Sequence, residues 1–341
     1  MTSTSTPAVF LTGPGRLDHR EIPLAPPVEG AALVRVTAVG LCGSDAHWYA
    51  EGGIGDAVVE DALILGHEFA GVIESGPRSG ERVAVDPAIP CLQCVFCRSA
   101  SFNLCSNLVF AGHGDTDGAL RTWLTWPERC LVALPDSVSD EEGAMLEPLG
   151  VALHAIDFAG VESHHSAGVF GCGPIGLLTV ALLKSMGLEQ IVATDPHPHR
   201  LQAASRLGAT SVVLASEDDD ERSAVGEVAG SGLEVVFDTA GNDAALHTAL
   251  VAARPGATVT IVGIPDRDRT SLVTSLARHK ELTVVFSHRM MPADLARAAT
   301  LAADRVVELR TLITHRYPLS DAQAAFTTLC ERGGLKVIVA P

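Results

Sequence analysis

The chain has 341 residues, 47% of them hydrophobic and 19% charged, with a formal net charge of −17. That length suits two domains better than one, and the apolar fraction is enough to fill real cores. Such an excess of acid, with only 4% aromatic residues, argues against nucleic acid as a partner, and no apolar run reaches the roughly 18 residues needed to span a bilayer.

Residues 1–7 are rich in Ser and Thr, with neither a basic start nor an apolar core. They do not read as a secretory signal, so a cytoplasmic protein is expected. Up to about residue 140 the pattern is β-rich, with few long helical periodicities. Residues 31–39 alternate in the manner of a half-buried strand. Short β-type runs at 69–74 and 82–86 are joined through Gly76-Pro77, a turn signal.

Near residue 150 the texture changes to alternating strands and helices. Strands are predicted at Ala167–Phe170, 190–194, Ser211–Leu214, 234–238, 258–262 and 282–286. Helices are predicted at 174–186, 200–207, 244–253 and 271–278. Six strands separated by helices make a doubly wound parallel sheet, so the fold class is α/β, a β-rich domain plus that sheet. The acidic run Asp218-Asp219-Asp220-Glu221 reads as an exposed helix start or loop. From about Pro292 the tail adds helices and a last strand at 336–339 and is expected to return to the first domain. The expected domains are therefore 1–152 with 290–341, and 153–289.

Gly171-Cys172-Gly173-Pro174-Ile175-Gly176 fits G-x-G-x-x-G between a short apolar strand and an amphipathic helix. Gly171 permits the tight turn, Gly173 lets backbone approach a pyrophosphate, and Gly176 lets helix and strand pack closely. Pro174 suits a first helical turn, whose free N–H groups and partial positive charge attract phosphates. Asp195, at the end of the next strand, can accept hydrogen bonds from a ribose 2′-hydroxyl and would repel a 2′-phosphate, which favours NAD over NADP. Arg200 lies along the same segment and blurs that preference. The plainer alternative is a glycine turn without a ligand and a surface aspartate.

Of eight cysteines, four cluster at Cys91, Cys94, Cys97 and Cys105. Four thiolates at this spacing close a tetrahedron around Zn²⁺ and leave no open position, which makes a structural site. An iron–sulfur cluster or free thiols are the alternatives, and spacing alone leaves the metal open.

A catalytic zinc wants about three protein ligands and one exchangeable place. Cys42 and His67 offer a soft and a borderline ligand, and Glu68 or Glu147 can supply an oxygen. Taken singly, each has a duller reading: an apolar filler, a core histidine, a salt-bridge acid, a helix-start acid.

With these motifs in view, the chain resembles the zinc-containing medium-chain dehydrogenase/reductase superfamily, and within it the sorbitol (polyol) dehydrogenase branch. The likeness runs through Cys42-Gly43-Ser44-Asp45 with His47, Gly66-His67-Glu68, the four-cysteine lobe, Glu147-Pro148-Leu149 and the glycine loop. It continues through 314–319 and Gly334-Leu335-Lys336-Val337. The resemblance implies a GroES-like catalytic domain, a Rossmann coenzyme domain, and an active site in the cleft between them. It implies Cys42, His67 and Glu68 as catalytic zinc ligands, with Glu147 as a fourth ligand or the holder of the zinc's water. Ser44 and His47 match the family's proton-relay positions. One catalytic and one structural zinc per subunit, NAD, a small polar alcohol or ketone substrate and a homotetramer or dimer follow from the same likeness. Substrate protons would leave through Ser44 and His47 while hydride passes to nicotinamide.

The pattern departs at two places. Where polyol dehydrogenases carry an Arg-Tyr pair after the last coenzyme-domain strand, this chain has Ser287-His288, with Arg289 next. Where they carry a tyrosine after the relay histidine, it has Trp48, followed by Tyr49. Both places face substrate in the family, so the expected substrates widen from polyols to cyclitols and aminocyclitols. An amino-alcohol dehydrogenase of the threonine type is the close alternative. A non-catalytic nucleotide-binding relative is the distant one.

Overall fold

A computed structural model describes residues 5–24, 26–55, 57–59, 61–216, 219–265 and 269–341, with backbone alone at 219 and 220. The chain divides into two compact units, Met1–Gly150 with Met291–Pro341, and Val151–Met290.

Among the described residues of the first unit, a seven-stranded sheet runs in the order Leu131–Ala133, Arg82–Val85, Glu68–Ile73, Ala31–Gly40, Lys336–Ala340, Ile313–Pro318. Trp123–Pro127 also pairs with Ala31–Gly40. The pairings are antiparallel except between the last two strands. Strand Ala31–Gly40 is rich in β-branched residues, and Val34, Val36 and Val39 are buried with Phe69, Val83, Val85, Trp126, Phe326 and Val337. Trp126 keeps its one polar atom satisfied by donating Nε1–H to the Asp86 carbonyl at 2.9 Å. At the end of this central strand, Gly40 stands between Glu68 on one neighbour and Ile338 on the other. That register brings Cys42, His67, Glu68 and Lys336 to one place, although they are far apart in sequence.

The second unit holds the expected six-stranded parallel sheet, ordered Ser211–Leu214, Ile191–Asp195, Ala167–Phe170, Leu233–Asp238, Ala253–Ile261, Thr283–Phe286. Its strands follow the doubly wound order in which the first strand sits beside the fourth, and the winding of the chain reverses there. Ala167–Phe170 is buried along its whole length, as a strand covered on both faces must be.

Several expectations need correction. The helix predicted at 271–278 begins only at Thr274 and runs to His279. Thr270 and Ser271 are drawn away by the Asp243 carboxylate, which accepts from both hydroxyls at 2.6 Å. The strand predicted at 258–262 is longer, Ala253–Ile261, and so ends the preceding helix at Ala252. The helix Leu146–Ala159 lacks a predicted counterpart. Within the acidic run, Asp218 lies outside the described residues, and the helix does start at Asp219. Glu221 is not exposed: it is buried and accepts from the Ser216 N–H at 3.3 Å. Residues 1–4 of the N-terminal stretch also lie outside the described residues. No described helix is long and apolar enough to cross a membrane.

Candidate metal centres and coenzyme loop

Cys42 leaves the central strand and caps the helix Gly43–Glu51. The cap is reinforced from inside: Asp45, at the third helical position, accepts the Cys42 backbone N–H at 2.9 Å. His67 follows Gly66, whose φ of 96° and close approach to Val39 and Leu120 suit glycine. Glu68 then opens its strand. Together, the Cys42 sulfur, a His67 ring nitrogen and a Glu68 oxygen lie within 4.8 Å of one another. The His67 ring is held on two sides. Its Nδ1 is 3.6 Å from Asp45 Oδ1, and its Nε2 is 3.5 Å from Ser44 Oγ. Phe110 covers it at 5.4 Å between ring centroids.

The acids of this cluster crowd one another, with the Lys336 ammonium among them. Burial, with Glu68 beside it, pushes the Cys42 thiol up to about 12. Burial lifts Glu147 to about 8, against the pull of His67 and with a further push from Glu68. Asp45 is raised for the same first reason, again opposed by His67. Buried Asp45 and Glu147 and half-buried Cys42 each resist ionising, and a divalent ion among them would reverse that logic. One sulfur, one nitrogen and one oxygen donor, with a carboxylate behind the imidazole, fit zinc. Glu68 supplies the oxygen of the triad, whereas Glu147 stands outside it, in the first turn of Leu146–Ala159. His47 is one helical turn beyond Ser44, and its Nδ1 is 3.0 Å from Glu51 Oε1.

Two contributors went unassigned a role in the sequence reading. Asp45 entered the sequence reading only as part of the family motif, and both its cap to the Cys42 N–H and its approach to His67 come from the fold. Lys336 is buried at the start of the last strand and its ammonium contacts Glu68. Of the two substituted positions, Trp48 is 2% exposed and meets His113 edge-on at 5.3 Å, so it is a core residue. Tyr49 packs on Phe326 and bonds Gln323. In the second unit, Ser287 donates its N–H to Ile261, His288 is exposed and Arg289 has a φ of 60°.

Cys91, Cys94, Cys97 and Cys105 bring their sulfurs within 4.8 Å of one another. Positive φ at Leu92 (61°) and Ala100 (60°) bends the chain tightly around them. The Cys91 N–H donates to the Cys105 sulfur at 3.2 Å, and the Cys97 N–H to Cys94 at 3.5 Å. The N–H groups of Cys97 and Ser106 hold Cys94 down to about 5, so its thiolate forms readily, and burial raises Cys97 to about 12. Backbone donors aimed at sulfur in a four-thiol cage fit a closed zinc site. Cys97→Ser is therefore expected to lower bound zinc by about one ion per subunit and Tm by roughly 10 °C. Metal analysis with a thermal melt checks this. Unchanged metal content would remove the lobe from the metal sites.

In the second unit, Ala167–Phe170 passes through Gly171 (φ 104°) into the helix Pro174–Ser185. A Cβ on Gly171 would sit 2.7 Å from the Ala240 nitrogen, and one on Gly176 would sit 1.9 Å from the Gly171 carbonyl oxygen. At Gly173, the helix N-cap, a Cβ would meet nothing within 4 Å. The loop thus packs tightly behind and opens in front, with Pro174 and Ile175 starting the helix, which fits a pyrophosphate cradle. Asp195 ends its strand where expected, but it is already engaged. Its Oδ2 accepts from Cys172 N–H at 2.8 Å, and its Oδ1 accepts from His197 N–H at 2.8 Å. His197 Nδ1 is 2.9 Å from Oδ1, and an Arg200 nitrogen lies 3.8 Å from Oδ2. A carboxylate has about four lone-pair sites, so ribose hydroxyls would share these oxygens.

Residues 28–136 match the alcohol dehydrogenase GroES-like domain family, and 174–304 match the zinc-binding dehydrogenase family. A probable D-xylulose reductase A from Neosartorya fischeri is 37% identical over 318 residues, spanning 90% of this chain and 88% of that one. Sorbitol dehydrogenase from Bacillus subtilis is 34% identical over 317 residues, 91% of this chain and 90% of its own. Among solved structures, a zinc-binding dehydrogenase from Sinorhizobium meliloti bound to NADP aligns with a TM-score of 0.89 at 28% identity. It covers 99% of this chain and 100% of that one.

Proposed function

Because the chain belongs to the zinc-containing medium-chain dehydrogenase/reductase superfamily, in its polyol dehydrogenase branch, we propose that it interconverts a secondary alcohol and a ketone. The substrate class is a small polyhydroxylated molecule (a polyol, cyclitol or aminocyclitol) and the coenzyme is NAD. The observation that carries the reading is the convergence of Cys42, His67 and Glu68 on one point from two neighbouring strand ends.

Cys42, His67 and Glu68 would hold the catalytic zinc, and Cys91, Cys94, Cys97 and Cys105 the structural one. When bound, the catalytic ion acts as a Lewis acid that acidifies the substrate hydroxyl. Ser44 lies against the imidazole and also bonds the Cys42 sulfur. Its hydroxyl takes the substrate proton and passes it toward His47, whose partner Glu51 is exposed enough to return it to water. Asp45, with Oδ1 3.6 Å from His67 Nδ1, would orient the imidazole and leave its other nitrogen for the ion. Glu147, in the field of His67, Glu68 and Cys42, would hold the water or substrate hydroxyl beside the same place. In the coenzyme unit, the N-terminus of Pro174–Ser185 takes the pyrophosphate and Asp195 takes the adenosine ribose.

The test is a screen of NAD⁺ reduction over polyols, inositols, aminocyclitols and threonine, with zinc content measured alongside. About two zinc ions per subunit and turnover of one hydroxylated class are expected. Turnover of threonine alone would move the reading to amino alcohols, and zinc-free protein without turnover would end it. For the coenzyme, Asp195→Asn should raise the NADP-to-NAD ratio of kcat/KM by about 10- to 100-fold, because repulsion of the 2′-phosphate is lost with the charge. An unchanged ratio in the variant would mean that Asp195 does not select the coenzyme.

A further inference from the structure

Lys336 is 1% exposed and sits at the first position of the terminal strand. A lysine is seldom fully buried without a partner. Its ammonium contacts Glu68 Oε2, on a side chain that is itself 1% exposed. The two residues are not on adjacent strands. Between their strands runs Ala31–Gly40, and Gly40 is paired directly with Glu68 on one side and with Ile338 on the other. Side chains alternate along a strand, so Lys336 and Ile338 point to the same face. At that spot Gly40 has no side chain. A Cβ there would lie 2.9 Å from the Lys336 Cε and 3.3 Å from the Glu68 Cβ, and it would collide with Glu68 Oε2. The missing side chain is the gap through which two long side chains meet across an intervening strand.

We propose that Lys336 is the positioning residue of the catalytic centre. It grips one carboxylate oxygen of Glu68, leaves the other for the metal, and thereby holds Glu68 in single-oxygen ligation. This rests on the reading of Cys42, His67 and Glu68 as zinc ligands. Without the grip, a carboxylate on a flexible stem has two competing arrangements, both oxygens on the ion or neither. The charge contributes too, since Cys42, Glu68 and Glu147 all lie in the field of the ammonium. Partners of this kind, one step removed from the metal, typically change its affinity 10- to 100-fold when lost.

The experiment uses the full-length holoenzyme. Cobalt(II) is exchanged into the catalytic site, and its visible absorption reports coordination geometry. Separately, zinc release into a chelator is timed, with the four-cysteine lobe as internal reference. Lys336→Met should alter the cobalt spectrum and speed release from the catalytic site by about 10- to 100-fold while release from the lobe is unchanged. Lys336→Arg, which keeps a cation within reach of Oε2, should stay close to the parent. In a Glu68→Gln background, changing Lys336 should add little, because the residue acts through Glu68. If methionine at 336 prevents folding, Lys336→Gln decides the same point: it should alter the cobalt spectrum and speed catalytic-site release in the parent and add little in the Glu68→Gln background. A parental cobalt spectrum and release rate in Lys336→Met would overturn the proposal. So would an arginine variant as impaired as the methionine one. A parent enzyme with only one metal per subunit, held by the lobe, would instead overturn the ligand reading beneath it.

Discussion

Replacing His67 with alanine should lower kcat/KM for the best alcohol substrate by about four orders of magnitude and leave NAD affinity within about twofold. A Lewis acid at the reacting oxygen supplies several kcal/mol of charge stabilisation, and each 1.36 kcal/mol is a factor of ten. The imidazole has no substitute. Ser44 and Asp45, which flank it, are a weaker ligand and a carboxylate already committed to the Cys42 N–H. Removing the ring also leaves buried Asp45 without the group that most favours its charge. The glycine loop belongs to the other compact unit, so coenzyme affinity should survive. Steady-state kinetics, a direct NAD titration and metal analysis together check this. Activity above a tenth of the parent, or two retained zinc ions per subunit, would be incompatible with His67 as a ligand.

The second large effect is expected at Gly176. An added methyl group would sit 1.9 Å from the Gly171 carbonyl oxygen and 2.8 Å from the Thr239 hydroxyl. Neither neighbour can yield cheaply. Gly171 is pinned by its own approach to Ala240, and the Thr239 hydroxyl already bonds the Phe170 and Gly171 carbonyls. The helix must therefore lift away from the strand, at a cost of about 1–3 kcal/mol and a Tm lower by roughly 5 °C. Lifting also moves the helix N-terminus from the phosphates, so NAD binding should weaken by about 100-fold or more. Calorimetric titration of NAD reads the second effect independently of the first. Parental affinity with a lowered Tm would separate the close packing from the coenzyme cradle.

How much of this was legible in the chain depends on how local each signal was. Pro174 is a start signal carried by a single residue, and its helix begins where expected, while the helices at Pro198–Leu207 and Asp243–Ala252 lie within a few residues of the predicted ones. The glycine loop was legible because strand, turn and helix are contiguous. The four-cysteine lobe was legible because its thiols share one short loop. The helix predicted at 271–278 was misplaced because Asp243, distant in sequence, claims Thr270 and Ser271. Glu221 looked like one charge among several, and its burial depends on a neighbouring loop. Trp48 was read as facing substrate because a family position was carried over without its packing, and the ring is spent against His113.

By itself the sequence showed which chemical groups are present: thiol and imidazole donors, a glycine turn ahead of a helix, an acid at a strand end, and the α/β class that displays them. These follow from composition, period and short-range spacing, which one stretch of chain carries alone. Tertiary structure alone decided which carboxylate oxygen lies within 4.8 Å of the Cys42 and His67 donor atoms, which ammonium touches it, and why residue 40 lacks a side chain. Those answers depend on the register of three strands drawn from residues 31–40, 68–73 and 336–340. Register is set by burying one face of each strand against a shared core, a balance of many weak contacts that no single stretch of sequence spells out.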